Sequence, residues 1–212
     1  MILTWFGHAT FKIESGEKII YIDPILDPFQ TYALADLILI SHWDFNHATI
    51  ESVEKIRKPE TLIFGTKEVA REIFGCKALT INQEVSIDGI KILALPAREN
   101  PLARKKRWIR HEPGLGFLMQ LENKNLYYVG DTELIPEIEK VIADILFIPI
   151  GASVMGVEEA AQLAKKIYPK IAIPYHWGKI EGSLEDAEYF KDLVENEEIK
   201  VLILKINEPI EL

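Results

Sequence analysis

The chain has 212 residues, of which 48% are hydrophobic and 27% are charged, so it is long and apolar enough to bury a sizeable core. Its formal net charge of −9 argues against nonspecific binding to nucleic acid or to anionic membrane surfaces. No apolar run approaches the roughly 18 residues that a membrane-spanning helix needs, and no signal peptide is recognisable. The single cysteine, Cys76, is expected to be a buried structural thiol. Because one cysteine cannot form an internal disulfide, the sequence predicts a cytoplasmic protein without disulfides.

The first half of the chain is predicted to be rich in strands. Two strands joined by the turn "SGEK" are expected in "LTWFGHATFKIE" and "KIIYIDPIL". Further short strands are expected in "ADLILIS" and "KPETLIFGT", followed by a helix around "KEVAREIF". The stretch "ALTINQEVSIDGIKILALPA" predicts two or three strands, with a turn at Asp88-Gly89.

The second half is predicted to repeat this arrangement, in which strands come first and strands alternating with helices follow. A hairpin closed by "ENKN" is expected within "GLGFLMQLENKNLYYVGD". Strands are then expected in "DILFIPIG", "KIAIPYH" and "KVLILKI", and helices in "ELIPEIEKVIA", "GVEEAAQLAKKI" and "SLEDAEYFKDLVENE". Ser183 is expected to open the last helix. Since no linker interrupts the chain, we expect one α/β domain over residues 1–212, with two packed sheets and helices outside.

Four apolar runs end in polar residues that can bind a metal or transfer a proton. They are followed by His42, Arg98-Glu99, Asp131 and His176. Loops at strand ends commonly carry chemistry in layered α/β proteins, and histidine and carboxylates are ligands of Zn, Fe and Mn. Taken singly, each residue has a structural alternative: Asp131 could cap a following helix, and Asn46 could stabilise a turn. Their joint placement predicts a metal site.

The order of these motifs resembles that of a known family. The stretches "TWFGHATF", "YIDP", "LILISHWDFNH", "YYVGDT" and "IPYHWG" are similar to segments of the metallo-β-lactamase superfamily, and more narrowly of its UlaG-like group of small metal-dependent hydrolases. The resemblance covers nearly the whole chain. It implies a four-layer αββα sandwich, a metal site at one edge between two sheets, and metal-dependent hydrolysis.

The metal-binding signature of that family, H-x-H-x-D-H, is altered in this chain. His42 and His47 match its outer histidines, whereas Asp44 replaces a histidine and Asn46 replaces the aspartate. Glu99 also stands where the family has a histidine. The resemblance therefore implies that Asp131 bridges two metal ions and that Asn46 is a weak additional ligand. The metal ligands that it implies are His42, Asp44, His47, Glu99, Asp131 and His176.

The altered signature leaves the metal content open between two ions, one ion and none. An oxygen-rich ligand set shifts preference from Zn towards Fe or Mn, so any of these three divalent metals is expected. Without a cation, Asp44, Glu99 and Asp131 would repel one another, which favours a bound ion. The alternative to a hydrolase is an inactive relative that acts as a binding protein. Redox chemistry at iron is less favoured because the chain has no flavin-binding domain.

Catalytic roles are expected for three residues. Asp131 would bridge the metals or hold the nucleophile, Asn46 would lie beside the attacking water, and His111 would act as a general acid or contact the substrate. His8 and Asp23 are expected to support the ligands rather than bind metal.

The basic loop 103–110 could steer a small anionic substrate, or it could be a solvated loop or a subunit contact. The expected partner is a small molecule, with no nucleic acid and no membrane, and a homo-oligomer is left open. The many isoleucines, lysines and glutamates are typical of a thermophile.

Overall fold

A computed structural model describes residues 1–98, 113–196 and 198–212 of the chain. Its internal contacts divide it into two compact units. The first unit comprises Met1–Thr80 and Leu204–Leu212, and the second comprises Ile81–Ile203. Each unit contains one seven-stranded sheet, and the described part of each has two helices. The predicted α/β fold class with two sheets is confirmed, while the single domain over residues 1–212 stays a prediction.

The first unit builds its sheet from both ends of the chain. Its strands are β1 (Ile2–Gly7), β2 (Thr10–Ser15), β3 (Lys18–Ile22), β4 (Leu37–Ile40), β5 (Leu62–Gly65), β6 (Cys76–Ala78) and β14 (Pro209–Glu211), and its helices are α1 (Ile50–Ile56) and α2 (Lys67–Glu72). The strand order is β14-β1-β2-β3-β4-β5-β6. Strands β1 to β3 pair antiparallel, whereas β3 to β6 pair parallel. The parallel strands therefore end at one edge of the sheet.

The second unit follows the same plan. Its strands are β7 (Glu84–Ile87), β8 (Ile90–Ala97), β9 (Gly114–Leu121), β10 (Lys124–Tyr128), β11 (Ile145–Pro149), β12 (Ile171–Tyr175) and β13 (Lys200–Val201), and its helices are α3 (Val157–Ile167) and α4 (Leu184–Val194). The strand order is β13-β12-β11-β10-β9-β8-β7. The hairpins β7–β8 and β9–β10 are antiparallel, and β10 to β13 are parallel.

The helices form where caps and apolar spacing predict them. Ser183 caps α4, since its hydroxyl accepts from Asp186 N at 3.2 Å while Asp186 Oδ2 accepts from Ser183 N at 2.8 Å. In α3 the residues at helical spacing, among them Leu163 and Ile167, are buried. In the first unit, apolar residues of α1 and α2 pack on β4 and β5 in one buried cluster: Ile38, Ile40, Val53, Ile56, Ile63 and Val69. None of the described helices is both long and apolar enough to cross a membrane.

Three predicted elements differ from the observed ones. The single strand predicted in "LTWFGHATFKIE" is wrong, because the chain turns after Gly7 and β1 pairs antiparallel with β2. The helix predicted in "ELIPEIEKVIA" is wrong as well. This stretch forms turns, with Ile138 N donating to Ile135 O at 3.2 Å, and Pro136 has no N–H for a helical ladder. The strand predicted in "KVLILKI" covers only Lys200–Val201, and α1 and β14 were not predicted.

Candidate metal centre

The candidate site residues of the first unit follow the carboxyl ends of β3 and β4, which are parallel neighbours. Asp23 comes directly after β3, and Ser41 and His42 come directly after β4, with Asp23 N bonded to Leu39 O at 2.9 Å. Asp23, His42 and His47 are at most 1% exposed. Ionisable groups are rarely buried this completely unless other polar groups hold them.

The carboxylate of Asp23 organises this cluster by accepting hydrogen bonds from Ser41 and His47. Ser41 donates from its backbone N to Oδ1 and from its hydroxyl to Oδ2, both at 2.6 Å. His47 Nδ1 lies 2.9 Å from Oδ2. Because a carboxylate only accepts, the proton of the neutral His47 ring is on Nδ1, and Nε2 carries the lone pair.

The same argument fixes the ring of His42. Its Nδ1 lies 2.9 Å from Ser41 Oγ, and the only hydroxyl proton of Ser41 is already donated to Asp23. Nδ1 of a neutral His42 must therefore be the donor, which places its lone pair on Nε2 as well. The ring centroids of His42 and His47 are 3.9 Å apart. Two buried imidazoles with Nε2 lone pairs, and with Nδ1 protons donated to Ser41 Oγ and to the Asp23 carboxylate, fit ligands of a divalent transition metal.

Asn46 is held by His8 in this cluster. The Nδ2 atom of Asn46 lies 2.8 Å from His8 Nε2, and the His8 ring lies 5.3 Å from that of His47. The contact agrees with a supporting role for His8. The Oδ1 atom of Asn46 is buried, and it has no hydrogen-bond partner among the residues that the structure describes. An unsatisfied buried acceptor is costly, which is compatible with a ligand or water at this position.

Asp44 shapes the turn that carries His47. Its Oδ1 accepts from Phe45 N at 2.7 Å, and its backbone O accepts from the N atoms of His47 and Ala48, both at 3.0 Å. The side-chain contact occupies one of the two carboxylate oxygens. Asp44 therefore has a clear structural role in the turn, in addition to the ligand role that the sequence predicts.

The second unit brings Asp131 and His176 together. Asp131 follows β10 and His176 follows β12, and these strands run parallel on either side of β11. His176 Nε2 lies 3.2 Å from Asp131 Oδ2, and the two side chains are 2% and 7% exposed. The alternative in which Asp131 caps a helix is wrong, because no helix follows it. A histidine and a carboxylate at this distance fit a ligand pair for a divalent metal.

Glu181 is part of this site and was missed from the sequence. Its Oε1 lies 2.9 Å from His176 Nδ1, and its Oε2 accepts from Ser153 N at 3.0 Å. Burial raises the pKa of the Glu181 carboxyl, but the hydrogen bonds from His176 and Ser153 outweigh burial and hold the pKa below its usual value. Nothing in the loop "GKIEGS" distinguishes this glutamate from a solvated one, so only tertiary structure could identify it.

Three residues of the candidate site have a left-handed backbone conformation. His8, Asp23 and His176 have φ values of 50°, 45° and 76°, in the left-handed region that residues with a side chain rarely adopt. Such strain is typical of functional positions, where the surrounding bonds enforce it.

Two of the predicted site residues, Glu99 and His111, and the basic loop 103–110 lie outside the described residues. The structure thus brings His42 and His47 together within the first unit, and Asp131 and His176 together within the second.

Comparison with known proteins identifies relatives along almost the entire chain. Residues 2–176 match the family model described as the beta-lactamase superfamily domain. A UPF0173 metal-dependent hydrolase of Methanosphaera stadtmanae is 32% identical over 227 residues, which cover 97% of this chain and 96% of the relative.

Solved structures show the same similarity. A protein of Parabacteroides distasonis described as a metal-dependent hydrolase has a TM-score of 0.85 and 28% identity, over 96% of this chain and 92% of its own. The metallo hydrolase Igni18 of the hyperthermophilic archaeon Ignicoccus hospitalis has a TM-score of 0.76 and 21% identity, over 99% and 97% of the two chains. This second likeness shows the fold alone.

Proposed function

Because the chain belongs to the beta-lactamase superfamily, and within it to the UPF0173 metal-dependent hydrolases, we propose that it hydrolyses a small molecule at a site with one or two divalent metal ions. The observation that carries the proposal is the pair of buried histidines, His42 and His47. Their Nδ1 atoms are bonded to Ser41 and Asp23, which places the lone pair of each neutral ring on Nε2, the atom that would coordinate a metal.

The proposed ligands are the residues that the sequence predicts. They are His42, Asp44, His47, Asp131 and His176, with Glu99 as a further ligand. His and carboxylate donors together suit Zn, Mn or Fe(II). The basic loop 103–110 favours an anionic substrate, because cationic side chains raise the local concentration of anions.

A bound divalent cation would supply an acidified water and would polarise the scissile carbonyl or phosphoryl group. The protein's own residues do the remaining work. Asp131 orients the attacking water and accepts its proton, and Asp23 keeps the rings of His42 and His47 in a fixed tautomer. Asn46 lies beside the water but cannot take its proton, so proton acceptance depends on Asp131. His111 protonates the leaving group.

A catalytically inactive binding protein is the second candidate. The observation that favours it is Asn46, whose amide bonds His8 where the family has an aspartate. A protein of this kind would bind a small molecule or a partner but would not turn over a substrate.

Metal content measured together with activity tests the proposal. The protein is loaded separately with Zn, Mn and anaerobic Fe(II), desalted, and assayed by elemental analysis and on panels of esters, lactones and phosphodiesters. We expect one or two bound ions and hydrolysis in at least one panel. His176→Ala should lower the metal stoichiometry and abolish hydrolysis.

His111→Ala is the matched control, because it removes a histidine that is proposed as an acid and not as a ligand. It should retain the wild-type metal content and lose only activity. Wild-type stoichiometry in His176→Ala would refute the ligand assignment. A wild-type protein that binds no metal and cleaves nothing would support the binding protein instead.

A further inference from the structure

His176 lies between two carboxylates of the second unit. Its Nε2 is 3.2 Å from Asp131 Oδ2, and its Nδ1 is 2.9 Å from Glu181 Oε1. Both carboxylates can only accept a hydrogen bond, but a neutral imidazole has only one proton to donate. The position of that proton therefore decides which ring nitrogen is available to a metal.

Glu181 is held more firmly than a surface glutamate. Ser153 donates to it twice, from its backbone N to Oε2 at 3.0 Å and from its hydroxyl to Oε1. Its own backbone O accepts from Gly178 N at 2.9 Å, which closes the loop that follows β12. These bonds fix both ends of the residue, so its Oε1 cannot follow a rotating imidazole.

Gly151 in the loop that follows β11 leaves the space that Glu181 occupies. A Cβ atom at Gly151 would lie 2.6 Å from Glu181 Oε1 and 2.9 Å from its Cδ. Since a contact below 3.0 Å requires one of the two groups to shift, and the carboxylate is the flexible end of the Glu181 side chain, any larger residue would displace the carboxylate. Two residues of the loop that follows β11, Gly151 and Ser153, thus prepare a fixed place for a side chain from another loop.

From this geometry we infer that Glu181 is a positioning residue, which keeps the His176 proton on Nδ1 and presents the Nε2 lone pair to the metal beside Asp131. The inference rests on the proposed function, since it assumes that His176 is a ligand. It adds an outer carboxylate that the sequence motifs do not contain. Such partners typically change metal affinity by about 10–100-fold.

Glu181→Gln gives the sharpest test because the surrounding donors dictate how the new amide is oriented. Ser153 N can only donate, so the amide oxygen must take the Oε2 position and the amide NH2 must take the Oε1 position. The NH2 group then donates to His176 Nδ1, which forces the imidazole proton onto Nε2. One atom exchange therefore reverses the tautomer without changing the side-chain volume.

The tautomer is measured on the metal-free protein by long-range ¹H–¹⁵N NMR of the histidine rings at pH 8. The chain has only 5 histidines, and His176→Gln assigns the relevant signal. We expect a protonated Nδ1 in the wild type and an unprotonated Nδ1 in Glu181→Gln. Glu158→Gln, the same exchange at an exposed residue of α3, should retain the wild-type pattern. An unchanged His176 pattern in Glu181→Gln would overturn the inference.

Zinc affinity, measured by competition with a chromophoric chelator, tests the consequence. Glu181→Gln should bind Zn²⁺ about 10–100-fold more weakly than the wild type and Glu158→Gln. Equal affinity would refute the positioning role even if the tautomer changes. If the wild type binds no Zn²⁺, Mn²⁺ or Fe²⁺, the proposed function fails, whereas a tautomer reversal in the NMR spectra would still establish that Glu181 controls the His176 ring.

Discussion

The two units of the chain share a strand plan but use it for different chemistry. In both units, the carboxylate of an aspartate directly before a parallel strand accepts a hydrogen bond from a backbone N–H near the start of the neighbouring strand that precedes it in the chain. Asp36 accepts from Ile19 N at 2.8 Å and from Lys58, and Asp144 accepts from Asn125 N and Lys170 Nζ, both at 2.9 Å. The units therefore solve the same folding problem, entry into β4 and into β11, with the same residue type.

The difference between the units lies at the opposite ends of the same strands. Asp23 after β3 accepts hydrogen bonds from its own unit and anchors the histidines, whereas Asp131 after β10 faces the Nε2 atom of His176. The anchoring carboxylate of the second unit is Glu181, which comes from a loop. A strand end provides a fixed position, but the neighbours that converge on it decide which contacts the carboxylate makes, and so whether we propose it as an anchor or as a metal ligand.

Among the substitutions that test this difference between the units, Asp23→Asn is expected to lower the free energy of unfolding the most. The amide replaces a fully buried carboxylate and can no longer accept from Ser41 N, the Ser41 hydroxyl and His47 together. Loss of one partner from a buried charged network costs about 3 kcal/mol of unfolding free energy. Urea denaturation in the presence of a chelator measures this loss.

Asp131→Asn is the matched change in the second unit. We expect it to cost no more than about 1 kcal/mol in the same assay, because it removes a group proposed to bind metal rather than an anchor. It should abolish hydrolysis instead. Equal losses of stability in the two variants would remove the distinction between anchor and ligand.

A smaller effect is expected at the aspartates that the units have in common. Asp36→Asn and Asp144→Asn should each lower the unfolding free energy by about 1 kcal/mol, since each removes charge-assisted bonds at a partly exposed site. Similar losses in urea denaturation would confirm the shared role, and a large effect at only one position would contradict it.

The pKa shifts of Asp36 and Asp144 fix the direction in which the stability of the protein depends on pH. For Asp36, burial raises the pKa but the bonds from Lys58 and Ile19 outweigh it. For Asp144, the bonds from Asn125 and Lys170 lower the pKa. A carboxyl with a lower pKa in the folded state stabilises the protein above its unfolded pKa of about 4, and this contribution disappears as the pH falls through the folded pKa. The asparagine variants should lack this part of the acid sensitivity.

The smallest effect is expected at Cys76, which occurs in the first unit only. Burial raises the pKa of its thiol to about 12, so the thiolate is scarce at pH 8. Alkylation by iodoacetamide, followed by mass spectrometry, should therefore be slow in the folded protein and fast in urea. Rapid labelling of the folded protein would contradict an inert structural thiol.

Local signals predicted the elements well where one signal dominated. The cap at Ser183 and the apolar spacing of α3 and α4 predicted those helices, and the turn residues after Leu121 predicted the β9–β10 hairpin. Predictions were wrong where the chain turns within a regular pattern. The chain turns at His8 inside an otherwise strand-like run, and residues 136–140 form turns in a stretch with helical spacing.

The sequence by itself determined the α/β class, the superfamily and the residues that follow the parallel strands, because hydrophobic period and motif order are local properties. Only the tertiary structure decided which neighbours each of those residues contacts, and therefore which of them anchor another side chain. Asp23 accepts from residues 18 to 24 positions away, and Glu181 meets Ser153 across 28 positions. Hydrogen bonds between such distant residues depend on how the strands are ordered in each sheet, and no short stretch of sequence encodes that order.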